Sequence, residues 1–193
     1  MYQSLNITAP TERSLKLAYI TIELDNLNIG ALREFTISTI RKAKTLGGGK
    51  VSVNLNLGTE EEIAAYILSI INSVKFKKLK SPTQIDRAKE QAIRDPKQIE
   101  QILIACSATN LPSLQTALSL NSNMFRDLKY LRHFYAHRNK DTLSKAFANS
   151  VKVGTFSSRH PDEMLLHVAP GKTHAVIEEW LTDAKLFYEL LMQ

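Results

Sequence analysis

The chain has 193 residues, of which 44% are hydrophobic and 23% are charged, a composition typical of a globular protein with a sizeable core. Its single cysteine, Cys106, excludes a disulfide framework or a cysteine-based zinc site within one chain and suits a reducing cytoplasm. The sequence lacks an apolar run of membrane-spanning length and a secretory signal, and its net charge of +6 favours a polyanionic partner. We therefore expect one cytoplasmic domain over residues 1–193, without membrane association.

The first helical pattern covers residues 10–46. Asn26–Gly30 is a weak point within it, so one long helix and two shorter helices fit the pattern equally well. The apolar positions at helical spacing, expected to face inward, are Leu15, Ala18, Ile22, Leu24, Leu32, Phe35, Ile40 and Leu46.

A glycine run, Gly47–Gly49, breaks the helical pattern. The following Lys50 invites comparison with a phosphate-binding loop, but the eight-residue motif, its Ser or Thr and a preceding strand are missing. Apolar and polar residues then alternate from Val51 to Leu57, which predicts a small extended or β element near 50–57. We expect the arm of residues 47–58 to form a hairpin strand or a dimerisation arm.

Thr59 and Glu62 have the spacing of a capping box, which predicts the start of a helix. This helix is expected to bury Ile63, Tyr66, Ile67, Ile70, Ile71 and Val74. A lysine run follows it, and either complements the helix dipole or forms an RNA-binding patch with Lys77, Lys78 and a stacking Phe76.

Charge dominates Gln84–Arg94, which predicts an exposed helix or a mobile flap. Asp95 and Pro96 then have the pattern of an N-cap and a first helical residue. The face that this next helix is expected to bury holds Ile99, Ile102, Leu103 and Cys106. Cys106 is interpreted as a core thiol because no acidic or histidine partner is near it in the sequence.

The stretch Asn121–Asp141 predicts one helix that carries the candidate chemistry and frays after His137. Its apolar stripe consists of Met124, Leu128, Leu131 and Tyr135. At about 100° per residue, the opposite face presents Arg126, Tyr130, His133 and His137. Arg132 falls at the edge of the buried stripe, about 140° around an ideal helix from His137.

The rest of the chain predicts a short helix over Thr142–Asn149, a hairpin near 151–168 and a final helix over Thr173–Met192. The hairpin pairs Val151–Phe156 with Met164–Val168, and residues 142–171 form a C-terminal appendage. The final helix is expected to bury Val176, Ile177, Trp180, Leu181, Ala184, Phe187, Leu190 and Leu191. The fold class expected is mostly α, with these small extended elements.

The segment Arg132-His133-Phe134-Tyr135-Ala136-His137 is similar to the Arg-x4–6-His signature of the HEPN superfamily, with a polar residue after the Arg and a small one before the His. The chain thus resembles HEPN ribonuclease toxins, abortive-infection proteins and RiboL-PSP-HEPN-type proteins. The resemblance spans Phe125–Asn139 closely and is architectural elsewhere. It implies a HEPN-like helical bundle and a homodimer with a composite site. Where some toxins continue with His-x-Tyr, this chain has Arg138 and Asn139, which argues against the subgroup silenced by modification of that Tyr.

Phosphodiester cleavage without a metal needs a base for the ribose 2′-OH, an acid for the leaving 5′-oxygen and a fixed cation for the phosphate. Histidine suits the first two roles and arginine the third. We predict Arg132 and His137 as catalytic residues with His133 as an auxiliary, and no cofactor or metal. The alternatives are surface histidines on a solvated helix, or a metal site for which no third ligand is evident.

The predicted function is a metal-independent endoribonuclease of a bacterial defence or toxin–antitoxin system, acting by 2′-OH transphosphorylation. Its expected partners are RNA, a second copy of the chain and an antitoxin or regulatory protein. The alternative is a non-catalytic HEPN-like dimer that binds RNA or a protein. The RNA contacts predicted are Arg126, Tyr130, Arg138, Lys140, Lys77 and Lys78. The alternative for Arg126, Arg138 and Lys140 is that they keep the helix soluble, and the alternative for Tyr130 is packing.

Overall fold

The computed structural model describes residues 9–150 and 160–193, with the side chain of Ser150 left out. The α-helices of that part are α1 (Pro10–Ile40), α2 (Glu60–Ile71), α3 (Ser73–Lys78), α4 (Pro96–Ala105), α5 (Leu111–Leu118), α6 (Met124–His137), α7 (Lys140–Ser150), α8 (Pro161–Leu166) and α9 (Val176–Leu191). The β pairing described there is one antiparallel bridge, between Lys44 and Lys50. The predicted mostly helical fold is therefore confirmed. None of the described helices has the length and apolar character needed to cross a membrane.

The chain divides into two compact units. Unit 1 comprises Met1–Asn28 and Ser122–Lys185, and unit 2 comprises Ile29–Asn121 and Leu186–Gln193. Helix α1 continues without a break through the predicted weak point at Asn26–Gly30, so one long helix is correct. That the units form a single domain stays a prediction.

The core of unit 1 is built around α6. All four residues of its predicted stripe, Met124, Leu128, Leu131 and Tyr135, are at most 5% exposed. The described ends of the predicted appendage contribute to the same unit, because α7 packs on α6 and α8 packs on α7. Their buried residues include Ala146, Met164 and Leu165.

A tight turn ends α6 at His137 instead of a frayed end. Arg138 adopts the left-handed conformation, with φ 44° and ψ 47°, and its N–H donates to the Phe134 carbonyl. Asn139 then caps α7: its Oδ1 accepts from the Thr142 N–H at 2.9 Å, and its own N–H donates to Thr142 Oγ1 at 3.2 Å. The motif helix therefore stops at a defined residue, and His137 occupies its last turn.

Two expectations for unit 1 are wrong. Met164–Leu166 lies in α8 rather than in a hairpin strand, because Pro161 occupies the first turn and the His160 side chain caps it. The other half of the predicted hairpin, Val151–Phe156, lies outside the described residues. Leu15 was expected to face inward and is 57% exposed.

The extended segment of unit 2 is held against the loop that follows α4. The Asn54 N–H donates to the Cys106 carbonyl at 2.8 Å, and the Thr109 N–H donates to the Ser52 carbonyl at 3.1 Å. Val51 and Val53 are buried while Ser52 and Asn54 are exposed, so the predicted alternation is confirmed. A hairpin forms only at the start of the arm, where Lys50 bridges Lys44 and the Val51 N–H donates to the Ala43 carbonyl at 3.2 Å. From Ser52 to Asn54 the described backbone hydrogen bonds go to the loop after α4.

Helix caps in unit 2 follow the sequence. Thr59 and Glu62 exchange both capping-box hydrogen bonds at the start of α2, and Asp95 caps α4 ahead of Pro96. Asn72 ends α2 and caps α3, so Val74 is 63% exposed and was wrongly expected inside. Along α4 and its C-cap, Ile99, Ile102, Leu103 and Cys106 are fully buried as predicted.

The charged segment Gln84–Arg94 is neither a regular exposed helix nor a flap. Ile85 and Ile93 are 4% and 2% exposed, which anchors both of its ends in unit 2. Between them lies only a single 3₁₀ turn, Arg87–Lys89. Glu90 accepts two hydrogen bonds from Arg33 of α1, at 2.6 and 2.8 Å. Two apolar residues and one ion pair therefore fix a stretch whose composition suggested mobility.

Candidate functional site

The last two turns of α6 present two imidazoles at the surface of unit 1. His133 and His137 are both exposed, and their ring centroids lie 4.6 Å apart with an interplanar angle of 68°. Their spacing of one helical turn places them on the same face, as the sequence predicted. The structure therefore brings these two predicted site residues into direct edge-to-face contact.

The surroundings of His133 favour its neutral form. Desolvation is the largest cause, and the neighbouring charges of His137, Lys145 and Arg132 add to it, so the pKa of His133 lies below its ordinary value of 6.5. A histidine with a lowered pKa is mostly unprotonated at neutral pH. His133 is therefore suited to accept a proton or to donate a hydrogen bond through its N–H.

Arg132 has a partner that the sequence did not indicate. Its Nε lies 3.8 Å from Oδ2 of Asp25 on α1, and the Asp25 side chain is only 2% exposed. The Arg132 Nε is buried and makes no hydrogen bond to any described residue, so the contact is a long ion pair. The Arg132 side chain as a whole is 34% exposed. The guanidinium therefore neutralises a buried carboxylate while part of it still faces solvent.

A second polar cluster fixes the buried side of α6 to α8. The Tyr135 hydroxyl donates to Asp162 Oδ1 at 2.6 Å, and the Asp162 N–H donates to Nδ1 of His160 at 3.2 Å. The His160 ring also meets the Phe134 ring edge-on, with centroids 5.5 Å apart. Burial and the Asp162 carboxylate raise the pKa of Tyr135 well above its usual range. These contacts hold the turn of α6 that lies between His133 and His137.

Sequence reasoning missed this cluster. The pair His160-Pro161 is an N-cap followed by a proline in the first helical turn, the same pattern that correctly predicted the start of α4 at Asp95-Pro96. Tyr135 was correctly placed in the core stripe, but its hydroxyl partner, Asp162, lies in a helix at a position where the sequence predicted the turn of a hairpin.

The predicted RNA contacts of unit 1 differ in availability. Arg126 is committed to Asp127 by two hydrogen bonds, at 2.6 and 3.0 Å. The Tyr130 ring is half-buried beneath the Lys129 ammonium, which lies 4.8 Å from its centroid. Arg138 and Lys140 are exposed on both sides of the turn after His137. Of these predicted contacts, Arg138 and Lys140 are therefore the ones whose charge is open to a phosphate.

The predicted contacts of unit 2 form a separate group. Lys77 and Lys78 are exposed on α3. Phe76, proposed from the sequence as a stacking surface, is partly buried against a cluster of core residues: Ala64, Ala65, Leu68 and Ile85. The lysines therefore offer charge to a polyanion without an open aromatic face beside them.

Within residues 9–150 and 160–193, no three His, Cys, Asp or Glu side chains are grouped so that they could hold a metal ion. Protein-family models give no match to the chain, and searches of curated proteins and of solved structures find no significant similarity. The resemblance of α6 to the HEPN signature thus depends on the sequence of that helix alone.

Proposed function

We propose that this protein is a HEPN-like, metal-independent endoribonuclease acting as a homodimer in the bacterial cytoplasm. The observation that supports it best is the contact between two exposed imidazoles, His133 and His137, beside the partly exposed guanidinium of Arg132. These groups supply what transphosphorylation requires: proton acceptor and donor capacity near neutral pH, and a fixed positive charge for the phosphate. The basic residues Arg138 and Lys140 adjoin them.

The reaction has a definite geometry. The ribose 2′-oxygen attacks phosphorus as its proton passes to a base, and the 5′-oxygen leaves as it receives a proton from an acid. The products are a 2′,3′-cyclic phosphate and a 5′-OH. In an in-line displacement the attacking and leaving oxygens lie on opposite sides of the phosphorus, so base and acid face each other across it.

That geometry favours a site shared by two chains. The rings of His133 and His137 touch each other, with centroids 4.6 Å apart, which leaves no room for a phosphate between them. A two-fold dimer that brings the ends of two α6 helices together would place the histidines of one copy opposite those of the other. Each Arg132 would then act on phosphate bound between the copies.

The test is cleavage of a mixed RNA pool in the presence of EDTA. We expect the wild type to cut and to leave cyclic-phosphate ends, and His137→Ala to lose cutting while staying folded and dimeric. The matched control is His174→Ala, which removes another exposed histidine of unit 1, 66% exposed and 3.6 Å from Glu178. Equal cutting by wild type and His137→Ala would refute the assignment of His137.

A second candidate function is a non-catalytic dimer module that binds RNA or a regulatory protein such as an antitoxin. The ion pair between Arg132 and the buried Asp25 favours it, because that pair gives Arg132 a purely structural use. In this case neither His137→Ala nor a charge-neutral replacement of the Arg132–Asp25 pair would alter RNA binding. A folded wild-type dimer that binds RNA and never cuts it would support the module.

A further inference from the structure

Unit 2 contains a cavity of about 470 Å³ that the proposed nuclease chemistry does not use. Its wall is formed by one face of α1, the residues before and after the glycine turn, and the last residues of the chain. The apolar part of the lining includes Phe35, Leu46, Val51, Tyr188 and Leu191. Small-molecule sites are typically apolar clefts of roughly 300–1,000 Å³, so the size suits one organic ligand.

Hydrogen bonds fix the wall around the glycine turn. The Leu46 N–H donates to the Met192 carbonyl at 3.0 Å, which ties the turn to the end of the chain. Within the turn, the Gly48 N–H donates to the Thr45 carbonyl at 2.9 Å, and Gly48 has a φ of +80°, a conformation that glycine adopts at little cost. Leu46, expected from the sequence to face the core, is instead 78% exposed on this wall. The cavity is therefore built by defined contacts.

Asn110, a residue of the lining, has one side-chain polar atom without a partner. The Asn110 side chain is 9% exposed, and its Nδ2 donates to Thr39 Oγ1 at 2.9 Å. Its Oδ1 is buried and accepts no hydrogen bond from any described residue. An unsatisfied buried carbonyl is unfavourable, and a hydrogen bond from a ligand N–H or O–H would relieve that cost. Asn110 thus specifies a hydrogen-bond donor on the ligand.

The charges of the lining specify a second feature. Glu34 belongs to the lining, and its carboxylate accepts from Nη1 of Arg33 at 2.6 Å, an arginine that also pairs with Glu60 and Glu90. Lys44 also belongs to the lining, is exposed, and has no acidic partner in the described part of the chain. Lys44 therefore offers the ligand a positive charge that no carboxylate of the described chain binds, which favours an anionic group on the ligand.

We propose that this cavity binds a small aromatic carboxylic acid that carries an N–H or O–H donor. The ring lies against Phe35 and Leu191, and the carboxylate lies at Lys44. Asn110 Oδ1 is closed to a water-sized group, so the donor reaches it through a local shift of the lining. Every residue of the proposed site belongs to unit 2, so the site can be tested independently of the ribonuclease proposal.

The first test compares two probe acids by NMR with ¹⁵N-labelled full-length protein. Indole-3-acetate and 1-naphthaleneacetate share the carboxylate and a similar bicyclic ring, but only the indole has an N–H. We expect both to shift the backbone amides of Ala43–Leu46, and the indole to bind roughly three- to tenfold more tightly, the usual range for one hydrogen bond. No shift by either acid in the millimolar range would overturn the proposal.

Two pairs of variants locate the binding. Ser38 lines the cavity from the exposed side of α1, so Ser38→Trp should fill the cavity and abolish the shifts, whereas Ser73→Trp, at an exposed site outside the lining, should preserve them. Lys44→Ala should weaken binding roughly two- to fivefold, and Lys50→Ala, at its bridge partner outside the lining, should leave binding unchanged. Binding that survives Ser38→Trp, or that responds equally to both lysine variants, would place the ligand elsewhere and overturn the proposal.

Discussion

Nε of Arg132 lies 3.8 Å from Oδ2 of Asp25. This ion pair joins the candidate site on α6 to an almost completely buried carboxylate of α1. Removing Arg132 weakens the stabilisation of the buried Asp25 carboxylate, and the loss is moderated because Arg132 is 34% exposed. We expect Arg132→Ala to lower the free energy of unfolding by about 1–3 kcal/mol. Urea denaturation of Arg132→Ala, of Asp25→Asn and of the double variant measures these free energies of unfolding.

The same three variants separate the effect of Arg132 on stability from its effect on catalysis. Asn at position 25 removes the buried charge, so the double variant should be about as stable as Asp25→Asn alone. RNA cleavage should not return, because the phosphate has still lost its cation. Simple additivity of the two single effects on unfolding would show that the residues are not coupled, and recovered cleavage would show that Arg132 acts only through Asp25.

The pKa of His133 depends on neighbouring positive charge. Lys145 is one cause of its lowering, so Lys145→Gln should raise the pKa of His133 toward 6.5. Lys140→Gln, which removes an exposed lysine that is not among the causes, is the control. Titration of the imidazole C2–H signals by NMR measures both. An equal upward shift in the two variants would contradict the assigned cause.

The sign of the linked stability follows from the direction of that shift. Above about pH 6.5, the unfolded-state pKa, both states hold His133 neutral and the group contributes no pH dependence. As pH falls below that value, the unfolded chain takes up the proton first, so stability decreases until the folded-state pKa is also passed. His133→Gln should flatten this part of the profile of unfolding free energy against pH, and an unchanged profile would contradict the shift.

Arg33 holds the charged segment Gln84–Arg94 in place. It makes a bidentate pair with Glu90 and a 3.0 Å bond to Glu60, and its side chain is 13% exposed. Lysine cannot make the bidentate pair, so Arg33→Lys should cost about 1–3 kcal/mol and speed amide exchange across the segment. Arg41→Lys, whose side chain is 45% exposed and 3.4 Å from Glu60, should change stability by less than about 0.5 kcal/mol. An unchanged rate of amide exchange across Gln84–Arg94 in Arg33→Lys would show that Arg33 does not hold the segment in place.

The turn after His137 is strained at Arg138, a non-glycine residue with φ 44°. Arg138→Gly should raise the free energy of unfolding by about 1 kcal/mol, because glycine adopts the left-handed conformation more readily. Arg138→Ala removes the same guanidinium without relieving the backbone, and should not stabilise. If the guanidinium contacts RNA, the two variants should weaken RNA binding equally. An alanine variant more stable than the wild type would show that backbone strain at Arg138 is not what limits stability.

Local sequence patterns, periodicity and capping among them, predicted much of the fold. The steps of the motif helix identified Met124, Leu128, Leu131 and Tyr135, all now found buried, and placed His133 and His137 on one face. The capping patterns at Thr59 and Asp95 were likewise correct. These features depend on residues a few positions apart, which a sequence displays directly.

Errors arose where distant contacts decide the structure. An apolar run as short as Met164–Leu166 fits a strand and a helix equally well. The signal that decides for a helix is the N-cap at His160. Gln84–Arg94 was expected to be exposed or mobile because it is rich in charge and poor in apolar residues. Two isoleucines, Ile85 and Ile93, are nevertheless buried and anchor its ends. The pairing of Arg132 with Asp25 joins α6 to α1, so no local pattern could have indicated it.

The central claim is a ribonuclease site shared between two copies of α6, and a mixture of wild type with an inactive variant tests it most directly. In the shared site the histidines of both copies act on one phosphate, so a dimer of one wild-type and one His137→Ala subunit should not cut. After subunit exchange in an equal mixture, about a quarter of the dimers are wholly wild type, and we expect cleavage in EDTA to fall to about a quarter of that of the same total concentration of wild type. The same mixture made with His174→Ala should cut as fast as the wild type. Cleavage at half of the wild-type rate, which is the share of wild-type subunits, would contradict a shared site.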